Sequence, residues 1–173
     1  NKGGKLALLF PGEGAQYVNM LADLCIHFPE VRTFFDSADR AVGGTGRYPL
    51  SADVFPPPLM SEEETKAAEE RLWKIERATE AVLTADGAMY ILLQKLGVKP
   101  DMITGHSAGE WVAMAASGIL DFDEFVASAP RLSAVYGGLS GKHDIPKAAM
   151  LAVGAGRDEV VKLVSQIERT VHI

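Results

Sequence analysis

Between Met102 and Ser117 the chain packs a short strand, a sharp corner and a small-residue helix into one stretch. This restricts the folds open to it more than any other feature. Pro100-Asp101 turns the chain into Met102-Ile103-Thr104, Gly105 to Gly109 makes the corner, and Ala108–Ser117 reads as a helix followed by Gly118. A second strand signal lies near the start. Leu6-Ala7-Leu8-Leu9-Phe10 is a continuous apolar run that stops at Pro11-Gly12, the pattern of a strand buried on both faces in a parallel sheet. Helical stretches separate the two strands. Gln16–Leu24 and Glu30–Ala41 are divided by Pro29, and Ser61 with Glu64 has capping-box spacing. The strongest helix spans roughly Arg71–Leu96, with Val82, Ala85, Met89, Leu92 and Leu96 on one stripe and Gly97 placed to end it. Strands alternating with helices predict an α/β fold.

After the corner helix, Asp121–Tyr136 reads as a further helix and Gly137–Pro146 as a glycine-rich surface loop. Ala148–Val153, Arg157–Gln166 and Thr170–Ile173 then read as strand, helix and strand. The expected division is a core over 1–146 and the start of a small subdomain over 147–173.

The 173 residues suffice for one domain with a real core, and a formal net charge of −6 argues against a nucleic-acid partner, which needs a basic face. No apolar run is long enough to span a bilayer, and the residues around Asn1–Lys5 do not read as a signal peptide. Cys25 is the single cysteine, so neither an internal disulfide nor a thiolate metal cluster is expected, and in its apolar stretch it reads as a buried structural thiol. These features fit a cytoplasmic protein with no membrane partner and no bound metal.

Gly105-His106-Ser107-Ala108-Gly109 is G-x-S-x-G in the strand–turn–helix setting of a nucleophile elbow. A serine on a strained turn stands clear of the sheet, and glycines two before and two after avoid a collision of side chains. The Ala108 N–H would point at an acyl oxygen from a helix N-terminus, where the helix dipole adds about half a positive charge. An oxyanion hole needs a second donor, and Pro11-Gly12-Glu13-Gly14 would emerge at the same sheet edge. Taken alone, that segment is a weak signal, because a Pro-Gly turn after a strand is more often only a turn.

Phe10-Pro11-Gly12-Glu13-Gly14-Ala15-Gln16 resembles the opening F-P-G-Q-G-A-Q of malonyl-CoA:acyl carrier protein transacylases and of the acyltransferase domains of polyketide and (polyunsaturated) fatty acid synthases. Gly105–Glu110 resembles their G-H-S-L-G-E. Leu96–Asp101, Ala116–Leu120 and Ala149–Val153 match at the expected spacings, so the resemblance covers nearly the whole chain. It implies an α/β-hydrolase-like large subdomain with a parallel sheet and the beginning of a ferredoxin-like small subdomain. It also implies a ping-pong reaction without a bound cofactor. Ser107 takes an acyl group from a coenzyme A thioester and passes it to the phosphopantetheine thiol of an acyl carrier protein, within a larger synthase. Glu13 and Ala108 supply the oxyanion-hole N–H groups, Gly105 and Gly109 shape the elbow, and His106 and Gln16 support it.

By the same resemblance the catalytic histidine falls beyond residue 173, so residues 1–173 alone are expected to be inactive. Of the histidines present, His106 reads as a scaffold hydrogen-bonding residue, His27 as a surface or cap residue and His172 as structural. His143, in the glycine-rich loop, is the one conceivable substitute base. Malonyl-specific members place a carboxylate-binding arginine on the second helix after the nucleophile. Counting from Ser107 puts that position at Leu132, with Arg131 one residue early and Pro130 able to shift the register. Malonyl anchored by Arg131 is the expectation. Glu13 and Glu80 stand where the family often has glutamine, and the Glu13 side chain is expected to point away from the oxyanion or to be paired. A serine esterase or thioesterase on the same elbow and an inactive docking module are the alternatives.

Overall fold

The computed structural model describes residues 3–140, 151–167 and 171. The chain divides into two compact units, Asn1–Gly141 and Lys142–Ile173.

In the first unit, β1 (Ala7–Phe10) pairs in parallel with β2 (Met102–Gly105), Ala7 opposite Met102 and Phe10 opposite Gly105. The Asp101 carboxylate ties the start of the ladder by accepting from the Leu6 N–H at 2.8 Å. At its other end the His106 N–H donates to Phe10 O at 2.9 Å, carrying the pairing into the corner. Burial on both faces is not what the strand shows. Phe10 is buried, but Leu9 is 68% exposed and Met102 54%. Helix packing covers one face only among the described residues.

The helix α1 (Ala22–His27) begins later than the apolar pattern predicts. Asn19 and Leu21 both take positive φ, 64° and 60°, which breaks any helix started at Gln16. The Asn19 N–H instead binds Val54 O at 2.7 Å, fastening this turn to α3 (Ser51–Val54). Pro29 opens α2 (Pro29–Gly43) at its first turn, where a missing N–H costs nothing. Ser61 caps α4 (Glu62–Leu72) through Glu64 N at 3.1 Å, and the Glu64 carboxylate reaches back to Met60 N, a capping box displaced by one residue.

The long helix expected over Arg71–Leu96 is two helices. Lys74 turns extended (ψ 133°) between α4 and α5 (Ile75–Lys95). The single-stripe reading of α5 also fails, because from Arg77 to Ala85 every residue is buried. A helix apolar or paired all round belongs to the centre of a domain. Ala81, Ala85, Ala88 and Leu92 pack against α2, α3 and α4 residues such as Val31, Val54 and Leu72. Leu83 and Tyr90 face Phe10, α6 (Gly109–Ala116) and α7 (Phe122–Ser140). Gly97, at φ 79°, ends the run as expected.

Asp121 caps α7 through the N–H groups of Asp123 and Glu124 at 2.9 and 3.1 Å. The helix continues unbroken through Pro130 to Ser140, so Gly137–Ser140 are helical where a loop is expected. The remainder of that loop lies outside the described residues. In the second unit α8 (Arg157–Val164) matches the predicted helix, whereas Leu151–Val153 and Val171 are not in strands. The other residues of those two predicted strands lie outside the described ones. No helix among the described residues is long and apolar enough to cross a membrane.

Candidate active site

Ser107 sits between β2 and α6 with φ 53°, a conformation that costs a side-chain-bearing residue roughly 1–2 kcal/mol. The corner is held by backbone bonds. Gly109 N donates to His106 O at 3.0 Å and Glu110 N to Ser107 O at 3.1 Å. Ser107 itself is exposed, and Ala108 behind it is buried. The glycines permit three close approaches. A Cβ on Gly105 would lie 2.3 Å from Gly109 C and O, the collision expected across the corner. At Gly109 the obstacle is different, because an added Cβ would meet Phe10 O at 2.3 Å and Pro11 O at 2.5 Å. Gly12 presses on the nucleophile, with a Cβ there 2.8 Å from Ser107 Cβ and 2.7 Å from His106 O. The turn after β1 and the elbow after β2 are thus in van der Waals contact.

That contact brings Glu13 to Ser107. The Ser107 hydroxyl donates to Glu13 Oε2 at 3.2 Å, and Thr79 Oγ1 on α5 lies 2.7 Å from Glu13 Oε1. The side chain is therefore paired, as expected, but it is aimed at the nucleophile rather than away from it. Thr79, fully buried and also bonded to Ile75 O at 2.8 Å, is a participant that the sequence reading did not single out. Its only signal is its place beside Glu80. No described residue accepts a hydrogen bond from the N–H of Glu13 or of Ala108, so both donors are open at the corner.

Gln16 is 3% exposed and accepts from Gly14 N at 2.8 Å through Oε1, which fixes the turn after Glu13. Its Nε2 is buried without a partner among the described residues. His106 is exposed, and no described residue hydrogen-bonds its ring. The scaffold role expected of its imidazole is filled instead by its backbone N–H and carbonyl. His27 is exposed at the end of α1. His143 and His172 lie outside the described residues. Cys25 is half-buried against the α2–α5 cluster rather than fully buried, and burial pushes its thiol up. The nearby Arg32 charge acts in the opposite direction, and the Asp36 charge raises it further.

Arg131 and Ser107 are not brought together. Arg131 is exposed on α7 and lines, with Trp111, Glu124 and Leu132, a groove of about 400 Å³ that has no contribution from Ser107. Leu132 packs into the apolar cluster beneath the elbow. Beside the site, Glu80 is buried and fully engaged. Its Oε1 accepts from Ser133 Oγ at 2.5 Å and from Arg47, and its Oε2 from Arg77 at 3.2 Å. Arg77 also bonds Asp53 at 3.0 Å and Tyr48 O at 2.9 Å, with its guanidinium 4.2 Å above the Tyr48 ring.

An exposed serine at positive φ, at a helix N-terminus and packed against a second turn, is an arrangement on which a serine nucleophile and an oxyanion hole can be built. The family described as acyl transferase domain matches residues 7–173. The chain belongs to that family. Its relatives include the malonyl CoA-acyl carrier protein transacylase of Escherichia coli K12, 37% identical over 70% of this chain and 35% of the relative. A highly reducing polyketide synthase of Alternaria alternata, ACRTS2, is 32% identical over 91% of this chain and 6% of the synthase. The solved acyl transferase domain of ZmaA superposes with a TM-score of 0.74 at 25% identity, over 96% of this chain and 36% of that one. The large unit is therefore α/β-hydrolase-like, and the chain spans about a third of the bacterial transacylase it matches.

Proposed function

We propose that this acyltransferase chain carries the nucleophile half of a domain that moves a malonyl unit from coenzyme A to the phosphopantetheine thiol of an acyl carrier protein. The observation that supports it most directly is Ser107 at φ 53° with the Gly12–Glu13 turn packed against it. In this reading Ser107 Oγ attacks the thioester carbonyl and the Glu13 and Ala108 N–H groups receive the oxyanion. Coenzyme A leaves as the thiol, and the carrier protein's thiol reverses the sequence. The relatives' names fit both ends of the transfer, since one is a malonyl CoA-acyl carrier protein transacylase and another a polyketide synthase. Transfer inside a larger synthase is part of the proposal. Arg131 is the proposed partner of the malonyl carboxylate, a role that requires its exposed side chain to swing from the α6–α7 groove toward Ser107.

The test uses a chain extended to the span of the bacterial relatives. Malonyl-CoA should leave an adduct on Ser107, mapped by mass spectrometry, and acylation should fall by several orders of magnitude in Ser107→Ala. An adduct that persists in that variant would refute the assignment. Hydrolysis outpacing transfer to a carrier protein would move the reading to a thioesterase. Arg131→Ala should lose malonyl loading while acetyl loading is kept or raised. Equal loading by the two thioesters in wild type, unchanged in the variant, would remove Arg131 from the site.

A further inference from the structure

We infer that Thr79 is a positioning residue for the transfer, holding through the Glu13 side chain the turn that faces Ser107. The inference rests on the Ser107 acyl-enzyme reading above and adds a residue to its machinery. It starts from the backbone. Glu13 stands between Gly12 and Gly14, and Gly14 takes φ 109°. Glycine on both sides leaves the Glu13 peptide little stiffness of its own. An oxyanion donor has to be held in place before the reaction, so this turn needs restraints from outside itself.

Among the described residues three contacts supply them. Gly12 presses on Ser107 and His106 O, which limits how near the turn can come. Gln16 Oε1 receives the Gly14 N–H at 2.8 Å and fixes the far side. The third contact comes from Thr79. Its Oγ1 lies 2.7 Å from Glu13 Oε1, and Glu13 Oε2 receives the Ser107 hydroxyl at 3.2 Å. Thr79 is fully buried on α5, so the turn is fastened to the centre of the domain rather than to its own neighbours. A threonine inside a helix commonly satisfies its hydroxyl on the carbonyl four residues back, and Thr79 has that bond, to Ile75 O at 2.8 Å. One hydroxyl hydrogen therefore faces two acceptors, and the contact with Glu13 is more than the burial of a threonine requires. The adjacent Glu80 does not compete for it, because both of its oxygens are engaged by Arg47, Arg77 and Ser133.

Thr79→Val removes the hydroxyl at nearly constant shape. Ile75 O stays paired, because the helix also gives it the Thr79 N–H. Loosening a donor slows the chemical step more than it weakens thioester binding, since a misplacement of about 1 Å can cost about 100-fold in rate.

The experiment measures Ser107 acylation by malonyl-CoA in the extended chain. The proteins are wild type, Thr79→Val, Thr79→Ser, Glu13→Ala and the variant carrying both Thr79→Val and Glu13→Ala, with Ser107→Ala as the blank. In Thr79→Val the maximal rate should fall about 10–100-fold, while the malonyl-CoA concentration giving half of it stays within a few-fold. Thr79→Ser, which keeps the hydroxyl, should recover most of the rate. In the Glu13→Ala background Thr79→Val should add almost nothing, because Thr79 acts through Glu13. A threonine with a purely structural role would lower the rate by the same factor in both backgrounds, and that result would overturn the inference. An unchanged rate in Thr79→Val would do the same, and so would a raised one, since the Glu13 contact would then be holding the hydroxyl back. Thermal melts accompany each variant, and Thr79→Ala, with the better helix former, carries the same cycle if Thr79→Val does not melt cooperatively. Loading that persists in Ser107→Ala would refute the acyl-enzyme reading and the inference with it.

Discussion

Glu80 shows why an acid stands where the family often carries glutamine. Its two oxygens meet Arg47, Arg77 and the Ser133 hydroxyl inside the protein, more donors than one amide oxygen serves well, and two of them are charged. Removing one partner of a buried ion pair leaves the other uncompensated. Glu80→Ala is therefore expected to lower the unfolding free energy by about 3–5 kcal/mol, read from urea titrations. Glu80→Gln, which retains an acceptor, should cost clearly less. A Glu80→Ala loss within experimental error would mean that Arg47 and Arg77 find other partners. Nothing in the sequence announces this cluster, because Arg47, Tyr48 and Asp53 lie in a loop and a short helix whose contacts exist only once α3 has packed on α5. The Glu13 side chain was illegible for a similar reason. Its identity is plain in Pro11–Gly14, but its direction depends on Thr79, far along the chain.

At the scale of elements, α5 organises the molecule, and it contains a group that fits its surroundings poorly. Asp86 has an Oδ2 buried without a partner among the described residues, and burial pushes its carboxyl up to about 7. A carboxyl that titrates higher when folded keeps its proton in the native state while the unfolded chain has already lost it. Stability is therefore lost as pH rises from about 4 to about 7, by up to about 4 kcal/mol, and the loss is complete above 7. Asp86→Asn should be more stable than wild type at pH 8. Its advantage should shrink by about 2.5–3 kcal/mol at pH 5, as measured by thermal melts across that range. A constant difference would show that Asp86 is ionised throughout. Most elements follow from local signals. Pro29, the Ser61–Glu64 pair, Gly97 and the glycine-flanked corner each act within one turn of chain. The misses arise where no such signal exists. The α4–α5 break carries neither proline nor glycine, and the glycine pair near the end of α7 did not stop the helix. The turn before α1 depends on a hydrogen bond to Val54.

For the molecule as a whole, the β1–β2 ladder leaves Leu9 and Met102 exposed, and among the described residues the Ser107 hydroxyl is hydrogen-bonded to Glu13 and to no histidine ring. A protein extended to the span of the bacterial relatives should be acylated at Ser107 at least 100-fold faster than residues 1–173, as expected when a general base is supplied. It should also unfold at a higher temperature. Equal acylation rates for the two lengths would place the base within this chain, with His143 the first residue to replace.

The left-handed backbone at Ser107 sets folding and chemistry against each other. Glycine adopts φ 53° without the penalty that serine carries there, so the residue that would best fit this corner is one that cannot hold an acyl group. Ser107→Gly is expected to be more stable than Ser107→Ala by about 1 kcal/mol, the relief of the turn partly offset by the greater freedom of the unfolded chain. Drift under pressure to fold alone would take this position toward glycine and silence the domain. In a library screened only for thermal resistance, position 107 should become a sink for inactive variants, and a screen for improved enzymes has to read acyl loading as well as melting.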